Sequence, residues 1–167
     1  MAPPGFAVDR MLGRLARWLR LLRFDAVYRR DLPGAKLLVL AAREHRILLT
    51  RDRALVKFAR RSHSAVRIIF LTADHCRDQL RELDALVPLG GIEGREPRCS
   101  TCNQPLESLA ATAVPASVPE YVRATQREFM RCPRCRRIYW PATHRLHMAD
   151  QIASLALTVA PAVQPKT

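Results

Sequence analysis

Two Cys-x-x-Cys pairs, Cys99/Cys102 and Cys132/Cys135, constrain this 167-residue chain with five cysteines more than any other feature. Two such turns can supply four thiolates at the corners of a tetrahedron, the geometry that a structural zinc ion takes. The knuckles read Arg98-Cys99-Ser100-Thr101-Cys102-Asn103 and Arg131-Cys132-Pro133-Arg134-Cys135-Arg136. Arginines and backbone amides around the sulfurs favour thiolate over thiol. Two disulfides or a thioredoxin-like redox pair are the alternatives. The leftover Cys76 and the absence of a secretory signal in the first residues weigh against an oxidised scaffold, so zinc and a cytoplasmic location are expected.

At 49% hydrophobic residues the chain can bury a real core, while no apolar run approaches the ~20 residues that span a bilayer, so no membrane partner is expected. The net charge of +13 is almost wholly arginine. It divides into +9 on residues 1–88 (18 Lys and Arg against 9 Asp and Glu) and +4 on residues 89–167 (10 against 6). Such a balance suits a polyanion, with RNA or DNA first and an anionic membrane a distant second.

Short apolar runs alternate with helical patterns over residues 5–88. Phe6-Ala7-Val8, Ala26-Val27-Tyr28, Ile47 to Thr50 and Val66 to Leu71 read as strands. Between and after them lie helices over Arg10–Arg23, Ala35–His45, Ala54–Arg61 and about Asp74–Leu86. In the first of these, Met11, Leu12, Leu15, Trp18, Leu19 and Leu22 share one arc. Strand-helix repetition with short links predicts an α/β fold: a parallel sheet flanked by helices. Pro88 to Gly94 breaks the pattern, and residues 89–96 are expected to be a linker. Residues 97–148 read as a zinc ribbon, with hairpin strands at Phe129–Arg131 and Arg137–Trp140 around the second knuckle. The 29-residue insert between the knuckles holds Pro115 and Pro119, which oppose a long helix. Residues 149–167 read as a short helix followed by a tail without fixed structure.

In a parallel α/β sheet the loops after the strands share one edge, where ligands bind. Asp9, Asp31, Asp52 and Asp74 follow the four strands in turn. Clustered carboxylates repel one another unless a hard cation such as Mg²⁺ or Mn²⁺ neutralises them, so the four are candidate catalytic residues around one. The competing explanation is that Asp9, Asp52 and Asp74 are helix N-caps. Arg14 and Arg17 lie beside the apolar arc near Asp9, and Arg51 precedes Asp52. All three are candidate phosphate ligands, because guanidinium matches phosphate in a bidentate manner. Arg14 and Arg17 could equally form a solvated face.

The segment Asp9-Arg10-Met11-Leu12-Gly13-Arg14-Leu15-Ala16-Arg17-Trp18-Leu19-Arg20-Leu21-Leu22-Arg23-Phe24-Asp25 resembles the N-terminal signature of the Mut7-C RNase domain family. Arg46-Ile47-Leu48-Leu49-Thr50-Arg51-Asp52 and Gln79-Leu80 look like its second and third signatures. The first knuckle, Phe129 to Cys135, Ile138-Tyr139-Trp140, Thr143-His144 and Met148 continue the match. The resemblance covers about residues 5–148. It implies a PIN-like nuclease domain fused to a zinc ribbon, with a Mg²⁺-dependent RNase activity. By position, Asp9 and Asp52 would be the central Mg²⁺ ligands, supported by Arg14, Arg17 and Arg51. Where the family carries an acidic run before the second helix, this chain has Leu32-Pro33-Gly34-Ala35-Lys36, with Asp31 the nearest acid. Pro141-Ala142 also departs from a glycine-containing turn.

The expectation is therefore a metal-dependent ribonuclease whose ribbon presents Arg134, Arg136, Arg137 and the Tyr139/Trp140 pair to single-stranded RNA. At least one of those aromatics is expected to pack the ribbon core instead. His144 is expected on the surface, since four sulfurs complete a zinc shell. The rival is an RNA-binding or ribonucleoprotein adaptor that keeps the fold without the full acidic set.

Overall fold

The structure is a computed structural model that describes residues 3–62, 65–92, 94–140 and 157–158. Four strands, β1 (Phe6–Val8), β2 (Ala26–Tyr28), β3 (Ile47–Thr50) and β4 (Ile68–Phe70), form an all-parallel sheet in the order β2-β1-β3-β4. Helices α1 (Gly13–Leu21) and α4 (Cys76–Asp84) cover one face, and α2 (Gly34–Arg43) and α3 (Arg53–Ser62) the other. Phe6, Val8, Ile47, Leu49 and Ile69 pack with α1 and α4, while Ala7 and Leu48 pack with α2 and α3. Burial on both faces is why these strands read as continuous apolar runs. The chain runs from β1 outward to β2, then back past β1 to β3. Crossovers of one hand in opposite directions put α1 and α2 on opposite faces. The order therefore reverses between β1 and β3, which is where open α/β sheets leave a crevice.

The helices α1 and α2 end in the same way. Arg23 and His45 adopt left-handed backbone (φ 64° and 51°). Phe24 N–H then reaches back to Leu19 O at 2.8 Å, and Arg46 N–H to Ala41 O at 2.9 Å. These 6→1 bonds satisfy orphan carbonyls and turn the chain sharply into the next strand.

Several boundaries differ from the periodic pattern. The helix expected from Arg10 opens as a 3-10 turn over Arg10–Leu12, and α1 begins only at Gly13. A Cβ at Gly13 would lie 2.8 Å from the Tyr28 hydroxyl, so any larger residue at this signature position would have to displace the Tyr28 ring. Met11, counted in the apolar arc, is 61% exposed because the 3-10 turn takes it off the buried stripe. The helix expected from Asp74 begins at Cys76, with His75 at its N-cap. Before it, Glu82 reaches back to accept from Thr72 N–H at 3.0 Å, Thr72 Oγ1 at 2.9 Å and Ala73 N–H at 3.1 Å.

Leu89 and Ile92 join the core of the parallel sheet. Leu89 is buried, and the Arg95 guanidinium lies 4.1 Å from the centre of the Phe24 ring. Beyond them an antiparallel sheet, β5 (Glu107–Leu109), β6 (Phe129–Arg131) and β7 (Ile138–Tyr139), has the order β5-β6-β7. The prolines confine the insert to one short helix, α5 (Glu120–Thr125), which starts after Pro119. Val114, Val118, Val122 and Phe129 make a small core under it, packed by Leu109, Ile138 and Trp140. Thr158 returns to the first part of the chain, donating from N–H and Oγ1 to Asp84 at 2.8 Å each. Pro141-Ala142, Thr143-His144, Met148, the expected helix near 152–156 and residues 159–167 lie outside the described residues.

Candidate metal centres

Asp9 sits at the C-terminal end of β1 and Asp52 just past β3, on either side of the reversal in strand order. Asp9 is buried; Asp52 is exposed. A single hydroxyl joins the Asp9 carboxylate to the Asp52 backbone: Thr50 Oγ1 donates to Asp9 Oδ2 at 2.7 Å and accepts from Asp52 N–H at 2.9 Å. Asp9 Oδ1 accepts from Arg10 N–H at 2.7 Å. Asp52 Oδ1 caps α3, accepting from Ala54 N–H at 2.8 Å and Leu55 N–H at 3.1 Å. The capping explanation is therefore true of Asp52 and, for the 3-10 turn, of Asp9. It uses one oxygen of each, and Asp52 Oδ2 has no hydrogen bond among the described residues.

The other two aspartates are placed differently. Asp74 points outward in an ion pair with Arg51, which also donates to Thr72 O at 3.3 Å. Arg51 is thus tied to a carboxylate in this structure. Asp31 is exposed in the turn after β2, ahead of Pro33 at the start of α2. Among the described residues no three carboxylates bring their oxygens within 4.8 Å of one another. The expected four-carboxylate convergence is not seen among the described residues, and the Arg51 ion pair holds Asp74 outward. Arg14 and Arg17 are exposed and make no hydrogen bond or ion pair among the described residues. A cleft of about 320 Å³ opens beside this edge, walled by Met11, Arg14, Asp74, His75, Cys76 and Gln79. Gln79 fixes its far wall by donating to Ala73 O at 3.0 Å and Asp74 O at 3.2 Å, a physical reason for the third signature.

The second centre is formed by the cysteines. Cys99, Cys102, Cys132 and Cys135 are unpaired thiols whose sulfurs all lie within 4.8 Å of one another. Adjacent sulfurs are 3.3 to 3.6 Å apart, against about 3.8 Å for a tetrahedron of Zn–S bonds. The two knuckles repeat one design. Cys99 N–H donates to Gln104 O and Asn103 N–H to Cys99 O; Cys132 N–H donates to Arg137 O and Arg136 N–H to Cys132 O. The residue after each second cysteine, Asn103 or Arg136, takes left-handed backbone (φ 70° and 60°). Amides of Cys102 and Cys135 face the first sulfur of their knuckle at 3.4 and 3.5 Å. Burial pushes the Cys99 thiol up, but hydrogen bonds from Tyr139 and the knuckle amides outweigh it and hold Cys99 well below the usual thiol range. Four converging sulfurs with this support fit a zinc ion, which would be held by all four.

Tyr139 Oη lies 3.1 Å from Cys99 Sγ, and Trp140 packs on the ribbon core. Both aromatics of the expected stacking pair are therefore engaged by the ribbon itself. Arg134, Arg136 and Arg137 are exposed, with Arg137 donating to Thr101 Oγ1 at 2.9 Å.

Sequence reasoning missed how the first knuckle docks. Arg20, buried on α1, donates through Nε to Ala26 O at 2.9 Å and through Nη1 to Ser100 O and Thr101 O at 3.2 and 2.7 Å. Burial lowers its pKa, opposed by the nearby Cys99, Cys102 and Asp25. Asn103 accepts from Ala26 N–H at 3.0 Å and donates to Asp25 at 2.6 Å. Arg46 and Arg98 close on Asp25 at 2.8 and 3.7 Å. Burial alone would raise the Asp25 carboxyl, but hydrogen bonds from Arg46 and Asn103 hold it below the usual carboxylate range. The first signature contains both Arg20 and Asp25, but the helical period places Arg20 well off the apolar arc and does not mark it as buried.

Fold and sites together define a parallel α/β layer with Asp9 and Asp52 on either side of its switch point, joined to a four-cysteine module. The family described as Mut7-C RNAse domain matches residues 4–152, and the chain belongs to that family. Comparison with curated proteins and with solved structures gives no match. No helix among the described residues is long and apolar enough to cross a membrane.

Proposed function

We propose that the protein is a metal-dependent ribonuclease, with a zinc ribbon that aids RNA binding. The observation that carries the proposal is the Asp9–Thr50–Asp52 chain of hydrogen bonds across the β1/β3 switch point. Mg²⁺ or Mn²⁺ needs only one or two protein carboxylates when waters and a substrate phosphate complete its shell. Asp9 and Asp52 would hold that ion, which supplies charge neutralisation and a water of lowered pKa for attack on phosphorus. Thr50 holds the Asp9 carboxylate by a hydrogen bond, and Arg14 and Arg17, unpaired among the described residues, would offer guanidinium groups to the flanking phosphates. Asp74 and Arg51 would contribute once their ion pair opens, and Asp31 is the weakest member of the set. Arg134, Arg136 and Arg137 extend the basic surface onto the ribbon. Reduced thiols suit a cytoplasmic location, and residues 5–88 and 97–148 are the two functional parts of the proposal.

The rival, an RNA-binding adaptor, draws on Lys36, which stands in the stretch where the family carries acids, and on the missing third carboxylate. A mixed RNA pool incubated with and without Mn²⁺ separates the two. Cleavage that requires Mn²⁺ and disappears in Asp9→Asn is the expected result. Asparagine can still accept from Arg10 N–H, so that variant should fold. Binding of RNA with no divalent requirement and no cleavage would favour the adaptor.

A further inference from the structure

The first knuckle touches the parallel sheet at one of its two edges. Strand β2 is three residues long, lies at the edge of the sheet and pairs with β1 alone. An edge strand of that length exposes unpaired backbone and has little stability of its own. Here its first residue has both outward backbone groups taken by side chains: Ala26 O accepts from Arg20, and Ala26 N–H donates to Asn103. Arg20 in turn grips the carbonyls of Ser100 and Thr101, the two residues between the knuckle cysteines. Asn103 reaches β2 because it holds the left-handed position that closes the knuckle. Each of these groups is aimed by the turn that the metal would fix.

The other end of β2 reaches the carboxylate edge. Tyr28, its last residue, donates from Oη to Arg10 O at 3.1 Å and lies against Gly13. Arg10 follows Asp9 and donates its own N–H to the Asp9 carboxylate at 2.7 Å. A continuous path therefore runs from the knuckle through Ala26, along β2 to Tyr28, and into the turn that orients Asp9.

We propose that zinc in the ribbon braces β2 and, through Tyr28, the Asp9–Arg10 turn, so that zinc occupancy sets the order of the carboxylate edge. The proposal rests on the ribonuclease assignment only for the importance of that edge, and its test reads backbone order rather than cleavage. Hydrogen exchange is measured on the full chain, reduced and zinc-loaded, then after chelation under reducing conditions, and on Asn103→Gly. Glycine keeps the left-handed turn while deleting the side chain that holds Ala26 N–H. Chelation should speed exchange in residues 24–30 and 9–13 by about tenfold or more, the scale set by losing buried hydrogen bonds. Asn103→Gly should speed the same two segments by a smaller factor while retaining roughly one zinc per chain. Parent-like protection of residues 24–30 after chelation would overturn the brace. Unchanged exchange of residues 9–13 in Asn103→Gly would overturn the transmission to Asp9. Neither outcome depends on whether the protein cleaves RNA.

Discussion

The ribbon gathers four sulfurs within 4.8 Å of one another from two turns of one design, whereas the sheet edge ties one carboxylate, Asp9, through a threonine to the backbone of Asp52 and turns Asp74 outward to an arginine. The difference follows from how each centre is specified. A Cys-x-x-Cys knuckle fixes two ligands through local hydrogen bonds within six residues, so only the pairing of two knuckles depends on the fold. The carboxylates come from four separate loops, and each is free to cap a helix, pair with an arginine or meet solvent. A local rule makes the cysteine centre robust; the arrangement of the aspartates depends on the whole sheet.

The largest effect expected from that contrast is loss of the robust centre. Reduced, freshly purified protein should carry about one zinc per chain. Cys132→Ser should release it and destabilise the ribbon by several kcal/mol, on the order expected for removing a structural zinc ligand. Independent units would leave residues 5–88 untouched. The Arg20 and Asn103 contacts argue instead that the sheet melts at lower temperature in the same variant, because Arg20 would keep its charge and lose its carbonyl partners. Thermal unfolding followed separately by zinc release and by signals from the sheet distinguishes these. Finding no zinc in the parent would remove the basis of the comparison.

A smaller effect is expected at the sheet edge. Thr50→Val keeps shape and removes the hydroxyl, leaving buried Asp9 Oδ2 and Asp52 N–H without their shared partner. The cost should be about 1–3 kcal/mol in stability, the usual scale for an orphaned buried polar group. Mn²⁺ affinity should fall with it, since the carboxylate loses its fixed rotamer. Thr50→Ser should restore most of both. Stability lost with unchanged Mn²⁺ binding would mean that Thr50 serves only the fold.

How much of this was legible in the chain follows the same division. The cysteines, the four parallel strands and the aspartates after them can be read from spacing and period, because each is a local pattern. Asp9 and Asp52 could be named as a pair by strand position, yet the threonine that joins them looks like one more residue of an apolar strand. Arg20 and Asn103 were out of reach for a different reason: their partners lie 6 to 81 residues away, and no local period marks a charge that is buried by docking. Met11 misled because a 3-10 turn shifts the helical phase by enough to expose it. Of Tyr139 and Trp140, at least one was expected inside the ribbon, and both find partners there.

The smallest effect separates fold from function within the ribbon itself. The two knuckles place Asn103 and Arg136 at the same left-handed position. Asparagine tolerates it well, and Asn103 uses it to reach the sheet. Arginine does not share that tolerance: left-handed backbone costs an ordinary L-residue roughly 1–2 kcal/mol, and glycine would avoid it. Arg136 is exposed and has no hydrogen bond through its side chain among the described residues, so the fold gains nothing visible from it. Arg136→Gly should therefore raise stability by up to about 1 kcal/mol, after allowing for the looser unfolded chain. If the residue is retained for the partner, the same change should weaken RNA binding evenly across sequences and reduce the slope of log affinity against log salt by about one. A more stable variant with an unchanged salt slope would move the RNA footprint off this knuckle and onto the sheet edge, where Arg14 and Arg17 make no hydrogen bond or ion pair among the described residues.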